Sequence, residues 1–135
     1  STGPAPDAAP APDAAAAPAP LLVVLNKAAA SASLLDPGTG EAVATLPTGE
    51  GPHEIAVAPD GRRAIVTNYG AERPGSTLTV LHLAGRVSGR TIALAPLRRP
   101  HGVAWLPDGR HVVVTIETDS LLAVVDVDSG TVVGR

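Results

Sequence analysis

Beyond residue 20 the apolar residues fall into short runs, most of them Val, Ile, Leu and Thr, with polar punctuation between them. Residues 77–83 (Thr-Leu-Thr-Val-Leu-His-Leu) alternate with period two, which predicts a strand with unlike faces. Residues 22–26, 53–58, 64–67, 91–94 and 112–115 are shorter and more continuously apolar, as strands covered on both sides are. Between 53–58 and 64–67 stands Ala58-Pro59-Asp60-Gly61. Proline presets φ at the second position of a tight turn, and glycine accepts a positive φ at the fourth. No stretch carries a helical period, so the pattern predicts an all-β chain of short antiparallel strands.

The runs repeat. Residues 52–62, Pro-His-Glu-Ile-Ala-Val-Ala-Pro-Asp-Gly-Arg, return at 100–110 as Pro-His-Gly-Val-Ala-Trp-Leu-Pro-Asp-Gly-Arg, an offset of 48 with seven of eleven positions identical. Leu22-Val23-Val24-Leu25-Asn26 matches Ala64-Ile65-Val66-Thr67-Asn68 at an offset of 42, and residues 35–43 match 125–133 at an offset of 90. A period of 42 to 48 is the size of one propeller blade. One four-stranded sheet cannot bury both of its faces alone, whereas sheets stacked around an axis can. The predicted architecture is a β-propeller with four-stranded antiparallel blades: a partial blade over 21–49, a full one over 50–96 and a nearly full one over 97–135. That is about 2.5 blades, fewer than the four to eight of a closed ring. The chain stops inside the run Thr131-Val132-Val133, so the reading expects either a truncated ring whose start is native, or one closed by self-association.

Composition changes the picture at the N-terminus. Residues 1–20 hold only Ala, Pro, Asp, Ser, Thr and Gly, with prolines at 4, 6, 10, 12, 18 and 20. Proline denies a helix its donors, and nothing there has apolar area to offset ordering, so a disordered leader or linker is expected. Two of the acidic residues behind the net charge of −3 (Asp7 and Asp13) sit in it, leaving the repeats near neutral. Lys27 is the lone lysine among ten cationic residues, and Tyr69 and Trp105 are the only aromatics of the Phe/Tyr/Trp type. Nucleic acid is therefore an unlikely partner, since single-strand platforms need aromatics beside basic residues. The absence of cysteine excludes disulfides and thiolate metal sites. No run approaches the length of a membrane-spanning helix. The low-complexity leader before a compact domain fits an exported, periplasmic or extracellular bacterial protein whose signal peptide has been removed.

The repeats resemble the YVTN repeats of YncE-like and surface-layer propellers. The resemblance is carried by Pro52, Ile55, Ala56, Pro59, Asp60, Gly61, Val66, Thr67 and Asn68, and again by Pro100, Val103, Ala104, Pro107, Asp108, Gly109, Val114 and Thr115. The turns at Asp36, Thr39, Gly40 and at Asp126, Ser129, Gly130 extend it over nearly all of residues 21–135. It implies that the strand holding His53 in one blade and His101 in the next is innermost, so both imidazoles face the central channel near one mouth. Converging there, they are candidate metal or cofactor ligands, with Glu54 as an added carboxylate. Asn68 and Tyr69, and Glu117 one blade on, follow the second strand, where propeller loops form a binding face. Asp60 and Asp108 read as turn residues and Trp105 as packing between blades. Arg98-Arg99 reads as a solvated linker.

The resemblance implies a non-enzymatic ligand-binding or scaffold propeller, with a small molecule or a protein as partner and no cofactor demanded by the sequence. Two alternatives stand beside it. A lactonase-type propeller hydrolase shares a Pro-His before Pro-Asp-Gly, although Val103 stands where that family tends to place a second histidine. A redox propeller would use the channel histidines toward a haem or quinone cofactor, with no attachment motif present. No catalytic residue is assigned.

Overall fold

A computed structural model of the chain describes residues 19–135; the leader anticipated over 1–20 lies, except for its last two residues, outside the described residues. The described residues form eleven strands in three antiparallel sheets. The first sheet has the order β1 (Leu22–Asn26), β2 (Ser31–Leu35), β3 (Ala42–Pro47). The second runs β4 (Pro52–Val57), β5 (Arg63–Gly70), β6 (Pro74–His82), β7 (Val87–Ala93). The third runs β8 (Pro100–Trp105), β9 (His111–Ile116), β10 (Leu121–Asp126), β11 (Thr131–Gly134). The final stretch thus completes four strands where about three and a half were expected. β7 starts at Val87, ahead of the expected Thr91, because the pairing continues past a one-residue register shift between Thr79 and Leu81 to the end of β6, where Val87 faces His82.

The turns form for the reasons visible in the sequence. At β4–β5 the Gly61 amide donates to the Ala58 carbonyl (2.8 Å), Asp60 Oδ1 accepts the Arg62 amide (2.9 Å), and Gly61 sits at φ 73°. The copy at β8–β9 uses Asp108 Oδ1 to accept the amides of Arg110 (2.8 Å) and His111 (2.9 Å). Asp60 and Asp108 are therefore turn residues. Asp126 combines a turn with an ion pair. Its Oδ1 accepts the Asp128 amide (3.0 Å), while Oδ2 takes Arg110 Nη2 at 2.7 Å. That guanidinium holds the carboxyl well below the usual carboxylate range.

Period-two alternation on β5 and β6 splits the interior into two layers. Ile65, Leu78 and Val80 turn toward the third sheet and join Val112, Val114, Ile116, Ala123 and Val125. Ala64, Val66 and Leu81 turn the other way and join Ala32, Leu34 and Leu46. Burying each large aliphatic side chain contributes about 1.5–3 kcal/mol, so the middle sheet is stabilised from both faces. Polar ties cross the same seams: Trp105 Nε1 donates to the Ala56 carbonyl (2.9 Å), and Arg63 reaches both the Gly109 carbonyl (2.9 Å) and Asp128 (2.9 Å). Trp105 is thus a packing residue between sheets, as expected. Ala104, by contrast, is exposed, and so are Leu22 (52 %), Leu122 (54 %) and Val133 (56 %) on the outer sheets.

Candidate functional site at the ends of the inner strands

β4 and β8 are the edge strands of their sheets, and they pack against each other across the seam. Both carry a register irregularity at the same repeat position. On β4, Pro52 pairs Asn68 and Ile55 pairs Val66, so His53 and Glu54 together oppose Thr67. On β8, Pro100 pairs Ile116 and Val103 pairs Val114, so His101 and Gly102 oppose Thr115. Two residues facing one is a β-bulge, which bends the strand and re-aims its side chains. The extra backbone groups are satisfied by the opposing threonine. Buried Thr67 accepts the Glu54 amide at its Oγ1 (3.1 Å) and donates across the seam to the His101 carbonyl (2.7 Å). Thr115 Oγ1 accepts the Gly102 amide (2.7 Å).

The bulges bring the two histidines together. His53 Nε2 and His101 Nε2 stand 2.7 Å apart, with ring centroids 4.1 Å apart and planes inclined at 71°. Tyr69 closes the group, its ring 5.3 Å from His53 and 5.8 Å from His101. Glu54 Oε1 lies 3.3 Å from His101 Nδ1. Burial pushes the His53 imidazole below its usual value, helped by His101 and Lys27 and opposed by Glu54 and Glu117. The shift favours the neutral form of His53. The Tyr69 phenol is raised above its usual value, chiefly by the neighbouring Glu117 carboxylate. It stays protonated as a donor.

Of the residues expected at the mouth, His53, Glu54, His101, Tyr69 and Glu117 are brought together. Asn68 is not. It is 1 % exposed, its Nδ2 donates to Thr77 Oγ1 (3.0 Å) and Thr79 Oγ1 (2.9 Å), and it acts as a zipper between β5 and β6. Asn26 does the same one sheet earlier with Ser31 (3.0 Å) and Ser33 (2.8 Å). The register explains the error: Asn68 faces Thr77 within the sheet, and only the next residue clears it.

Two cations complete the cluster. Lys27, Tyr69 and Glu117 occupy one repeat position in three successive sheets, by the offsets of 42 and 48. Lys27 Nζ lies 5.5 Å from the Tyr69 centroid and the Arg99 guanidinium 4.6 Å from it. Arg99 was expected to be a solvated linker, yet it is partly buried and its Nη1 donates to the Tyr69 carbonyl (3.2 Å). It holds φ 60° at the position where the preceding repeat has Gly51 at φ 62°. A side chain tolerated in the left-handed region costs about 1–2 kcal/mol, and that departure from glycine was the sequence signal for Arg99. Lys27, Tyr69 and Arg99 line one open cleft of about 420 Å³. His101, Ile116, Glu117, Leu121 and Leu122 line a second of about 490 Å³.

Antiparallel sheets stacked face to face, with their inner strands ending at a shared mouth, define a partial β-propeller. Known structures agree. The chain superposes on Kuenenia stuttgartiensis hydrazine synthase with a TM-score of 0.74 at 26 % identity, over 90 % of this chain and 34 % of that one. It superposes on dihydro-heme d1 dehydrogenase NirN, solved in complex with DHE, with a TM-score of 0.70 at 22 % identity, over 84 % of this chain and 23 % of that one. The chain thus spans about a third of the first and about a quarter of the second. No protein-family model matches the sequence, and no curated protein does. Among the described residues, no helix is long and apolar enough to cross a membrane.

Proposed function

We propose that this chain contributes part of the ring of a YncE-like, ligand-binding β-propeller of an exported bacterial protein, and that the mouth built by His53, His101, Glu54, Tyr69 and Glu117 faces a small molecule. The observation that carries this reading is the convergence of His53, Tyr69 and His101 from two sheets into one partly exposed ring cluster with polar edges. Such a cluster offers π faces and hydrogen-bonding edges without a nucleophile–base pair, which favours binding over turnover. The exposed Leu22, Val24, Leu122 and Val133 on the outer sheets are faces for further blades, so the complete ligand cage includes residues of the rest of the ring.

Crystals of the chain soaked separately in benzoate, phenol and imidazole test this reading. Occupancy against Tyr69 and the histidines is the expected result; occupancy confined to other surfaces overturns it. A γ-lactone hydrolysis assay separates the hydrolase alternative, which requires turnover that is lost in His101→Ala.

The redox reading draws its support from the two propellers the chain is similar to, one a hydrazine synthase and the other a dihydro-heme d1 dehydrogenase with DHE bound. In that reading the imidazoles at the mouth contact a haem-like or quinone cofactor. Protein purified from its native host decides it: a preparation with no visible absorption band excludes a haem, and an organic extract with no quinone by chromatography excludes a quinone.

A further inference from the structure

His53, Glu54 and His101 place their ligand atoms within 4.8 Å of one another, the one such grouping of His, Asp or Glu side chains in threes among the described residues. The arrangement inside the grouping is more specific than its proximity. Glu54 Oε1 approaches His101 on its Nδ1 side, at 3.3 Å. A carboxylate at this distance favours the tautomer with the proton on Nδ1, which leaves the His101 Nε2 lone pair free, the supporting role that carboxylates play behind metal-bound histidines. The two Nε2 atoms then stand 2.7 Å apart.

That separation discriminates between coordination geometries. Two nitrogens each about 2.0 Å from one ion stand about 2.8 Å apart at a right angle and about 3.3 Å apart at the tetrahedral angle. The observed spacing matches the right angle. The rings also incline toward each other. A head-on approach of the two nitrogens would hold the centroids farther apart than the observed 4.1 Å, so the rings meet at an angle that leaves room for an ion beside the N–N line. The backbone is set for this spacing by the Thr67 hydroxyl, which ties the Glu54 amide on one strand to the His101 carbonyl on the other.

We infer that His53 Nε2 and His101 Nε2 are adjacent ligands of a tetragonal divalent ion, Cu(II) or Ni(II), with Glu54 positioning His101 from behind. The remaining coordination sites open toward the cleft lined by Ile116, Glu117, Leu121 and Leu122, where solvent or a ligand of the metal completes the sphere. This deepens the proposed binding mouth and rests on that reading: the metal becomes the polar anchor of the site, and the apolar walls shape what it holds.

The test is titration of the full chain with Cu(II) in glycine buffer as a competing chelator, followed by calorimetry and by pulsed electron paramagnetic resonance. The expected result is one Cu(II) per chain with two imidazole nitrogens coupled to it, and binding lost in His53→Ala and in His101→Ala. His82→Ala and His111→Ala leave it unchanged. Glu54→Gln weakens affinity by about 10–100-fold while preserving both nitrogen couplings, as a supporting carboxylate does. A spectrum of the unaltered chain with one imidazole or none overturns the inference regardless of how the variants fold. Equal binding by the His82 and His53 variants also overturns it. Cu(II) failure together with occupied benzoate or phenol soaks refutes the metal alone, whereas empty soaks refute the binding mouth.

Discussion

Replacing Thr67 with valine removes one hydroxyl and leaves the shape of the side chain almost unchanged. Its Oγ1 accepts the Glu54 amide (3.1 Å) and donates to the His101 carbonyl (2.7 Å), and the residue is 0 % exposed. Valine leaves both groups without their partner. An unsatisfied buried donor or acceptor costs about 1–3 kcal/mol, and the partial access of water to the mouth sets each at the low end, for a total of about 2 kcal/mol. The same substitution one repeat on, Thr115→Val, removes a 2.7 Å bond to Gly102, but Thr115 is exposed and water replaces the hydroxyl. Its expected cost is below about 0.5 kcal/mol. Urea unfolding followed by the fluorescence of Trp105, the sole tryptophan, measures the difference. Thr67→Ser keeps the hydroxyl and is expected to restore most of the loss. Equal destabilisation by the two valine variants, or a serine variant no better than valine, would refute the hydroxyl's role in locking the bulge.

Gly51→Ala is expected to be markedly destabilising, because φ is 62° and the added Cβ would run into the Gly70 carbonyl, whereas Gly109→Ala, at φ 65° with open space around it, costs only about 1 kcal/mol; thermal unfolding of both variants checks the contrast. Asp126 is held below its ordinary value by Arg110, and Asp108 is held at about 2 by the amides of His111 and Arg110. Both are depressed, so their contribution is complete above the ordinary value of 3.8 and is lost as pH falls through the folded values; denaturation midpoints should drop between pH 4 and 2, and less steeply in Asp126→Asn. Trp105→Phe keeps an aromatic ring but loses the pyrrole half of the indole with its bond to the Ala56 carbonyl, an expected cost of about 1–3 kcal/mol read by urea unfolding with circular dichroism. Leu78→Ala, at 0 % exposure between the second and third sheets, should cost about 3–4 kcal/mol in the same assay, and a loss under 1 kcal/mol would mean that the seam relaxes around the void.

Much of the fold was legible because a repeat writes the same local rules more than once. The Pro-Asp-Gly turns, the alternation at 77–83 and the 48-residue offset each state a period that packing then has to obey. The approach of His53 to His101 was expected from their shared repeat position together with the resemblance, which implies that their strand is innermost. The bulge that aims them was not, because register is settled by which backbone groups find partners, and Thr67 looks like any strand threonine in sequence. Asn68 was misplaced by a single residue, and in a strand one residue is the difference between the interior of the sheet and its end. Arg99 was overlooked because a cation beside a proline reads as solvent-facing; its contact with Tyr69 comes from a chain segment 30 residues away.

The bulge, the threonine opposite it and the Pro-His pair all lie within one repeat unit. Copying that unit therefore copies a mouth histidine together with the scaffold that aims it. The distance between neighbouring histidines is set by how the two strands pack across the seam, where the Thr67 hydroxyl ties one to the other. Gain or loss of such units changes the number of histidines at the mouth in whole steps, while the residues at the shared position of Lys27, Tyr69 and Glu117 vary the charge around it without disturbing the frame.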